Sequence, residues 1–455
     1  MADIDDNVKE TLSDVRKVGA NYEEHQQEVG LDIPVDLVHF RKFPVIDPPG
    51  KYKKVGHDTR SDISPNDSLE LPDYSGPFNQ NLRFSDFSND ALIKMLGMSD
   101  EYYRTCIEGW ADSVAERYGR DDMVNIQSEA WQTMILPQLR GMIDEWMELT
   151  DDGAEALVTE TQKEVAAQVA AGRVVLINPY KPEPEWAQYS KERLVKLTLG
   201  SHEYLLAAIE SWAFAIVMRD GLDEMFAFQW ALWSEKLLPA AKDIKSRWMS
   251  ISGDTVEAFM KDIQVDATSF PGKAFELTFE MPEEEVGIFT FNKCVSVDQW
   301  EALGRPDIAE KASHTSCPAA IVETAKMYNP NMKVEILAIP PRVSKDDVCC
   351  KWRLSIRDES DPEYVRTDES SGAVSYTHLD VYKRQRSSRR SRSCDGAWRS
   401  GPRCRGRRRL RSLNGRQRWG RRPTPRSPGA GSVRRDPRRK DSAGPIGPSR
   451  SIRCV

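Results

Sequence analysis

One stretch of this chain occurs twice. Asn89–Trp146 lies on Lys191–Trp248 after a shift of 102 positions, without a gap, and 18 of the 58 positions are identical. Chance would give about three, and self-similarity of this kind governs any reading of the fold. The matches include Trp110/Trp212, Trp131/Trp233, Trp146/Trp248, Gly119/Gly221, Asp121/Asp223 and Pro137/Pro239. The repeated unit is helical. Ser88 is placed to cap a helix and Ser99 to start a second one. Tyr103, Ile107, Trp110, Val114 and Tyr118 then form one apolar stripe at helical spacing. Gly119 supplies a left-handed stop, Asp121 caps the next helix, and Pro137 kinks that helix or opens another. The second copy repeats these signals at Ser201, Gly221, Asp223 and Pro239. Two copies of one unit predict pseudo-twofold packing, a homodimer mimicked inside one chain, and further oligomerisation is compatible with it. Copies standing apart would contradict that expectation.

The charge balance depends on the end of the chain. Val374–Gln385 reads VSYTHLDVYKRQ. It back-translates to a block of about 19 bases followed by its own reverse complement, which resembles the transposon end used in preparing sequencing libraries. The residues after Gln385 are crowded with Arg, Ser, Gly and Pro, as GC-rich DNA read in an arbitrary frame would be. Residues 374–455 are therefore expected to be an artefactual tail and not a domain; the alternative is a basic nucleic-acid-binding tail. They carry 25 of the 64 Lys and Arg but 4 of the 71 Asp and Glu, which leaves 39 basic against 67 acidic residues before them, a net charge of −28. A body this acidic repels nucleic acid and anionic membranes. No run approaches the ~18 apolar residues of a membrane span and no leader pattern opens the chain, so the expected location is the cytoplasm.

The remaining segments set the domain plan. Residues 1–88 comprise a short amphipathic helix over Asp5–Gln27 and a Pro-, Asp-, Gly- and Ser-rich segment that wraps the surface; His39 and His57 stand isolated there. Residues 89–150 and 191–250 are the helical copies, and 151–190 hold an Ala/Glu/Gln-rich helix and a proline-broken linker. From 262 to 357 the apolar period changes from helical to alternating. Phe275, Leu277, Phe279 and Met281 alternate with polar residues, followed by a turn and Val286, Ile288 and Thr290, which reads as a hairpin. Helices are expected from Ser296 through Trp300 and from Pro318 to Tyr328, then strands over Met332–Ile339 and Val348–Ile356. The fold class is α+β: tandem-duplicated helical units followed by a four-stranded antiparallel sheet domain.

Candidate chemistry concentrates in that last domain. Four of the five cysteines before the tail (Cys294, Cys317, Cys349 and Cys350, with Cys106 apart) fall in one window. Such a cluster fits thiol or metal chemistry in a reducing compartment better than disulfides. Cys317 precedes Pro318 at a helix start, where a thiolate is stabilised. His314 and Cys317, with Cys294 and Cys350, offer four ligands of the type that hold a divalent metal such as zinc. Packing of the cysteines as small hydrophobes is the third reading. No Ser-His-Asp order, phosphate-binding glycine loop or His-Glu-x-x-His occurs in the body.

The run Asn292-Lys293-Cys294, Cys317, Asn329-Pro330 and Asp347-Val348-Cys349-Cys350-Lys351-Trp352-Arg353 resembles the L-2-amino-thiazoline-4-carboxylic acid hydrolase-like family. The closing Asp-x-x-Cys-x-aromatic pattern is also similar to the vinyl-reductase-type small-molecule-binding domain. The first resemblance implies a hydrolase of C–N bonds that opens a cyclic amidine bearing a carboxylate. Cys350 or Cys317 would then be nucleophile or ligand, Asp347 the acid/base, and Arg353, with Asn329, would hold the substrate. The second implies a non-enzymatic small-molecule sensor. Cys349 stands where the hydrolase-like pattern has an aromatic residue, His314 is not part of that pattern, and strand alternation points Arg353 away from Cys350 unless a bulge intervenes.

Overall fold

The computed structural model describes residues 43–366, except 303 and 315. The helix expected over Asp5–Gln27, His39 and the tail from Val374 lie outside the described residues. The stretch read as the first copy consists of α1 (Asn89–Tyr118), α2 (Arg120–Ala130), a π-helical turn at Trp131–Ile135 and α3 (Leu136–Trp146). After α4 (Asp151–Ala170) and an extended linker, the second consists of α5 (Lys191–Asp220), α6 (Leu222–Leu232), a π-helical turn at Trp233–Leu237 and α7 (Leu238–Met249).

Local chemistry explains these bounds. The hydroxyls of Ser88 and Ser190 accept from the amides of Ala91 and Arg193 and so open the two long helices. Gly119 (φ 96°) and Gly221 (φ 86°) end them in a conformation that a side chain would strain. Ser99 does not open a second helix, because α1 runs through it. Its buried hydroxyl instead meets that of Ser201 at 3.0 Å where α1 and α5 cross. Asp121 falls inside the first turn of α2, which begins directly from Gly119 without a side-chain cap. At each π turn the amide of the next residue (Leu136 or Leu238) reaches back five positions, to Trp131 or Trp233. Pro137 and Pro239 then occupy the first turn of α3 and α7, where a missing N–H costs nothing.

The long helices pack on each other, and polar contacts between the two stretches come in reciprocal pairs. Trp146 Nε1 donates to Glu203 at 2.5 Å, and Trp248 Nε1, 102 positions on, donates to Glu101 at 2.6 Å. Arg117 pairs with Glu224, while Arg219 pairs with Asp122 at 2.8 Å. Tyr118 donates to Asp220, its own counterpart. In the first two of these pairs the partners, 102 positions on, meet in turn. Trp110, Trp131 and Trp212 are fully buried beneath these pairs, each removing a large apolar area from water.

Helix α8 (Val256–Val265) joins the helical part to the sheet, which contains β1 (Phe275–Glu283), β2 (Val286–Cys294), β3 (Met332–Ala338) and β4 (Cys350–Ile356). Between β2 and β3 run α9 (Val295–Ala302), α10 (Pro306–His314) and α11 (Ser316–Tyr328). The strand order is β1-β2-β4-β3, antiparallel throughout, so the fold is α+β. Leu277, Phe279, Phe289, Trp352 and Leu354 face the helices. Gly287 permits the closest approach: a Cβ there would lie 2.8 Å from Val256 and 2.9 Å from Met260. Residues 43–58 strap the other face and one edge. Ile46 N–H donates to Ile336 on edge strand β3, Val348 N–H donates to the Tyr52 carbonyl, and the Asn292 amide both donates to and accepts from the backbone of Val55. Buried Lys245 on α7 reaches Asp262 and Asp266 at 2.5 Å each, and Tyr328 donates to Asp262 at 2.7 Å. These bonds fasten the second helical copy to α8 and α11. Among the described residues no helix is long and apolar enough to cross a membrane.

Candidate functional site

The sheet and its covering helices bring the cysteines of this region together through one irregularity. Between Glu276 and Leu277 the β1–β2 register slips: Leu277 opposes Phe291, while Phe275 opposes Cys294. The extra residue in β2 breaks strict alternation and turns Cys294 to the face shared by Phe275 and Phe291. Cys350 opposes Phe291 across β2–β4, so Cys294 and Cys350 share that face. Cys317, at the start of α11, lies within electrostatic reach of both. Cys349 sits at the bend into β4, fully buried against Val297 and Ala309, with Cys294, Phe291 and Trp300 packed around them, so Cys294 borders both Cys349 and Cys350. All four are free thiols.

Desolvation dominates the acidity of each. It pushes Cys294 up to about 12, although the backbone amides of Val297 and Ser296 at the start of α9 pull the other way. It pushes Cys317 up to about 11, although that residue as a whole is exposed, and Cys350 well above its ordinary value. Cys349 stands at about 12 despite the neighbouring Arg342 cation. At neutral pH every one of these thiols is protonated, whereas the nucleophile and the metal ligand are thiolates. Among the described residues no three His, Cys, Asp or Glu groups are arranged to hold a metal ion.

The other residues singled out from the sequence stand elsewhere. His314, at the end of α10, meets the Pro340 carbonyl at 2.9 Å. The Asp347 carboxylate pairs with Lys53 and accepts from the amides of Ser344 (2.8 Å) and Val343 (2.9 Å), which together lower its pKa. It organises the loop before β4. Arg353 pairs with Glu335 on β3 at 2.9 Å, and the β2–β4 register runs without a break from Phe291↔Cys350 to Val286↔Ser355, so alternation keeps Arg353 off the Cys350 face. Asn329 shapes the turn into β3, accepting from Asn331 N–H and donating to the Asp254 carbonyl.

A concave feature lies beside this cluster: a cleft of about 220 Å³ lined by Glu301, Pro306, Ala309 and the run Pro340–Lys345. The Arg342 side chain, 3% exposed, contributes to its wall. Its Nη1 donates to Cys349 Sγ at 3.3 Å, Nη2 to Asp298 at 2.8 Å, and Nε to Glu301 at 3.0 Å, with a second bond to Glu301. Glu301, held by Arg342, and the exposed Lys345 thus line one concavity. Sequence reasoning missed Arg342, Asp298 and Glu301. The one signal was an arginine directly after Pro340-Pro341, which by itself reads as an ordinary turn. Comparison of the chain with protein-family models, with curated proteins and with solved structures finds no match.

Proposed function

We propose that the α+β part binds a small zwitterionic molecule of the cyclic amidine-carboxylate class in the cleft beside Arg342. The observation that carries this reading is the polarity of the cleft: Glu301, held by Arg342, faces the same space as Lys345. Each Glu301 oxygen accepts one bond from Arg342 and keeps a further lone pair that an amidinium N–H can use, and an ammonium partners the ligand carboxylate. Pro306, Ala309, Pro340, Pro341 and Val343 offer apolar surface for the ring. The volume suits a molecule the size of one substituted five-membered ring. Binding without cysteine-mediated hydrolysis is favoured because burial raises the Cys294, Cys349 and Cys350 thiols, and because the carboxylate of Asp347 is occupied by Lys53 and two backbone amides. The free state of all five described cysteines accords with a reducing location, the cytoplasm.

The hydrolase reading has one observation in its favour. The Cys294 thiol is met by two backbone amides at the start of α9, a setting that favours negative charge. One experiment separates the two readings. 2-Amino-thiazoline-4-carboxylate is titrated calorimetrically into the full chain, and the mixture is then analysed for ring-opened product. The binding reading expects saturable heat, about tenfold weaker affinity in Lys345→Ala, and no product. Absence of binding refutes it, and product formation abolished by Cys350→Ser or Cys294→Ser establishes the hydrolase instead.

A further inference from the structure

We propose that Cys349 and Cys294 form an oxidative modification site, closing to a disulfide when a small peroxide enters through the Arg342 cleft. Three observations carry this. Cys349 and Cys294 belong to one small packed cluster, separate from the main core and built on Val297 and Ala309. The Cys349 sulfur lies 3.7 Å from the carbonyl of Asn292, two residues before Cys294, which places it at the end of β2 where Cys294 sits. Among the described residues it also carries the one guanidinium contact to any of the four thiols, from Arg342 Nη1 at 3.3 Å.

Access and chemistry then coincide. Ala309 lines the cleft and also packs on Cys349, and Arg342 joins the cleft to the sulfur, so the cleft ends one side chain from Cys349. A hydrogen peroxide molecule fits such an opening; a folded reductase does not. In the first step the Cys349 thiol loses its proton, its sulfur attacks one peroxide oxygen, the O–O bond breaks, and the sulfenic acid and one water form. Arg342 stabilises the developing thiolate. In the second step the Cys294 sulfur attacks the sulfenic sulfur, the S–O bond breaks, and the hydroxyl leaves with the Cys294 proton as a second water. Two thiols and one peroxide thus give one disulfide and two waters. Desolvation of both thiols makes the reaction slow, so the site answers sustained rather than brief oxidant exposure. The site stands whether or not the cleft also binds an amidine.

The test treats the full chain with hydrogen peroxide, blocks remaining thiols by alkylation, and maps non-reduced peptides by mass spectrometry. The expected result is a Cys294–Cys349 linked peptide that dithiothreitol releases, with Cys106, Cys317 and Cys350 alkylated as free thiols. In Cys294→Ser the reaction should stop at a Cys349 sulfenic acid trapped by dimedone, and in Arg342→Lys the rate of linkage should fall about tenfold, one decade of thiolate stabilisation. Circular dichroism before treatment establishes that each variant is folded. Linkage through Cys317 or Cys350, dimedone trapped first on another cysteine, or no linkage with folded protein overturns the proposal.

Discussion

At the scale of single residues, burial decides what each titratable group does. His202, on α5, is fully buried with its ring edge-on to Phe84, and neither ring nitrogen is hydrogen-bonded among the described residues. Desolvation lowers it from 6.5 to about 3. The folded state therefore holds it neutral while the unfolded chain binds a proton below about 6.5. Its contribution to stability is complete above that pH and is lost progressively as the pH falls towards 3, on the order of 4 kcal/mol in total. Urea melts at pH 7.5 and 5.0 should differ by about 2 kcal/mol of that total, and His202→Phe should remove most of the difference. Lys245 poses the opposite case. Its ammonium is buried but held charged by Asp262 and Asp266. Lys245→Met leaves the buried Asp262 and the partly buried Asp266 without their cation, and a loss of roughly 3–5 kcal/mol is expected in denaturant titration.

At the scale of elements, the close approaches between helices are set by glycines whose replacement has a defined neighbour. A Cβ on Gly97 of α1 would lie 2.8 Å from the Trp248 ring, and one on Gly200 of α5 would lie 2.7 Å from Trp146 and 2.6 Å from Tyr180. Gly97→Ala and Gly200→Ala should each destabilise by about 1–3 kcal/mol through overpacking, with the larger effect at Gly200, where two rings must move. Thermal melts of the two variants check this; an unchanged midpoint in both would refute the packing described. The reciprocal bonds give a second test. Glu101→Gln and Glu203→Gln each weaken an indole bond between α1 or α5 and the opposite copy. Similar losses in unfolding free energy, within about 1 kcal/mol, are expected. The apolar stripe, the glycine stops and the alternating strands were legible in the sequence because each rests on local periodicity. The continuity of α1 through Ser99 was not, since a serine that caps a helix and one that meets its counterpart inside a helix crossing look the same in one dimension.

At the scale of the whole molecule, the sequence indicated an α+β chain with four strands in two pairs, and the fold has that content. What it could not indicate is set by contacts between distant segments. The register slip that turns Cys294 towards Cys350 depends on Phe275 pairing with Cys294, and nothing local to Asn292 announces it. The pairing of Asp347 with Lys53 and of Arg342 with Asp298 and Glu301 joins segments that only the closed sheet brings together. Asp347 and Arg353 were therefore singled out by motif, while the residues lining the cleft passed unnoticed. The account rests on the thiols being desolvated and protonated, which separates a binding module from a cysteine hydrolase. The most direct measurement is the rate at which iodoacetamide alkylates each cysteine of the native full chain at pH 7, read by peptide mass spectrometry. The account predicts that Cys294, Cys349 and Cys350 react more slowly than a free thiol, and that the exposed Cys317 reacts no faster than one. One of them alkylating faster than free cysteine would contradict it and identify the nucleophile.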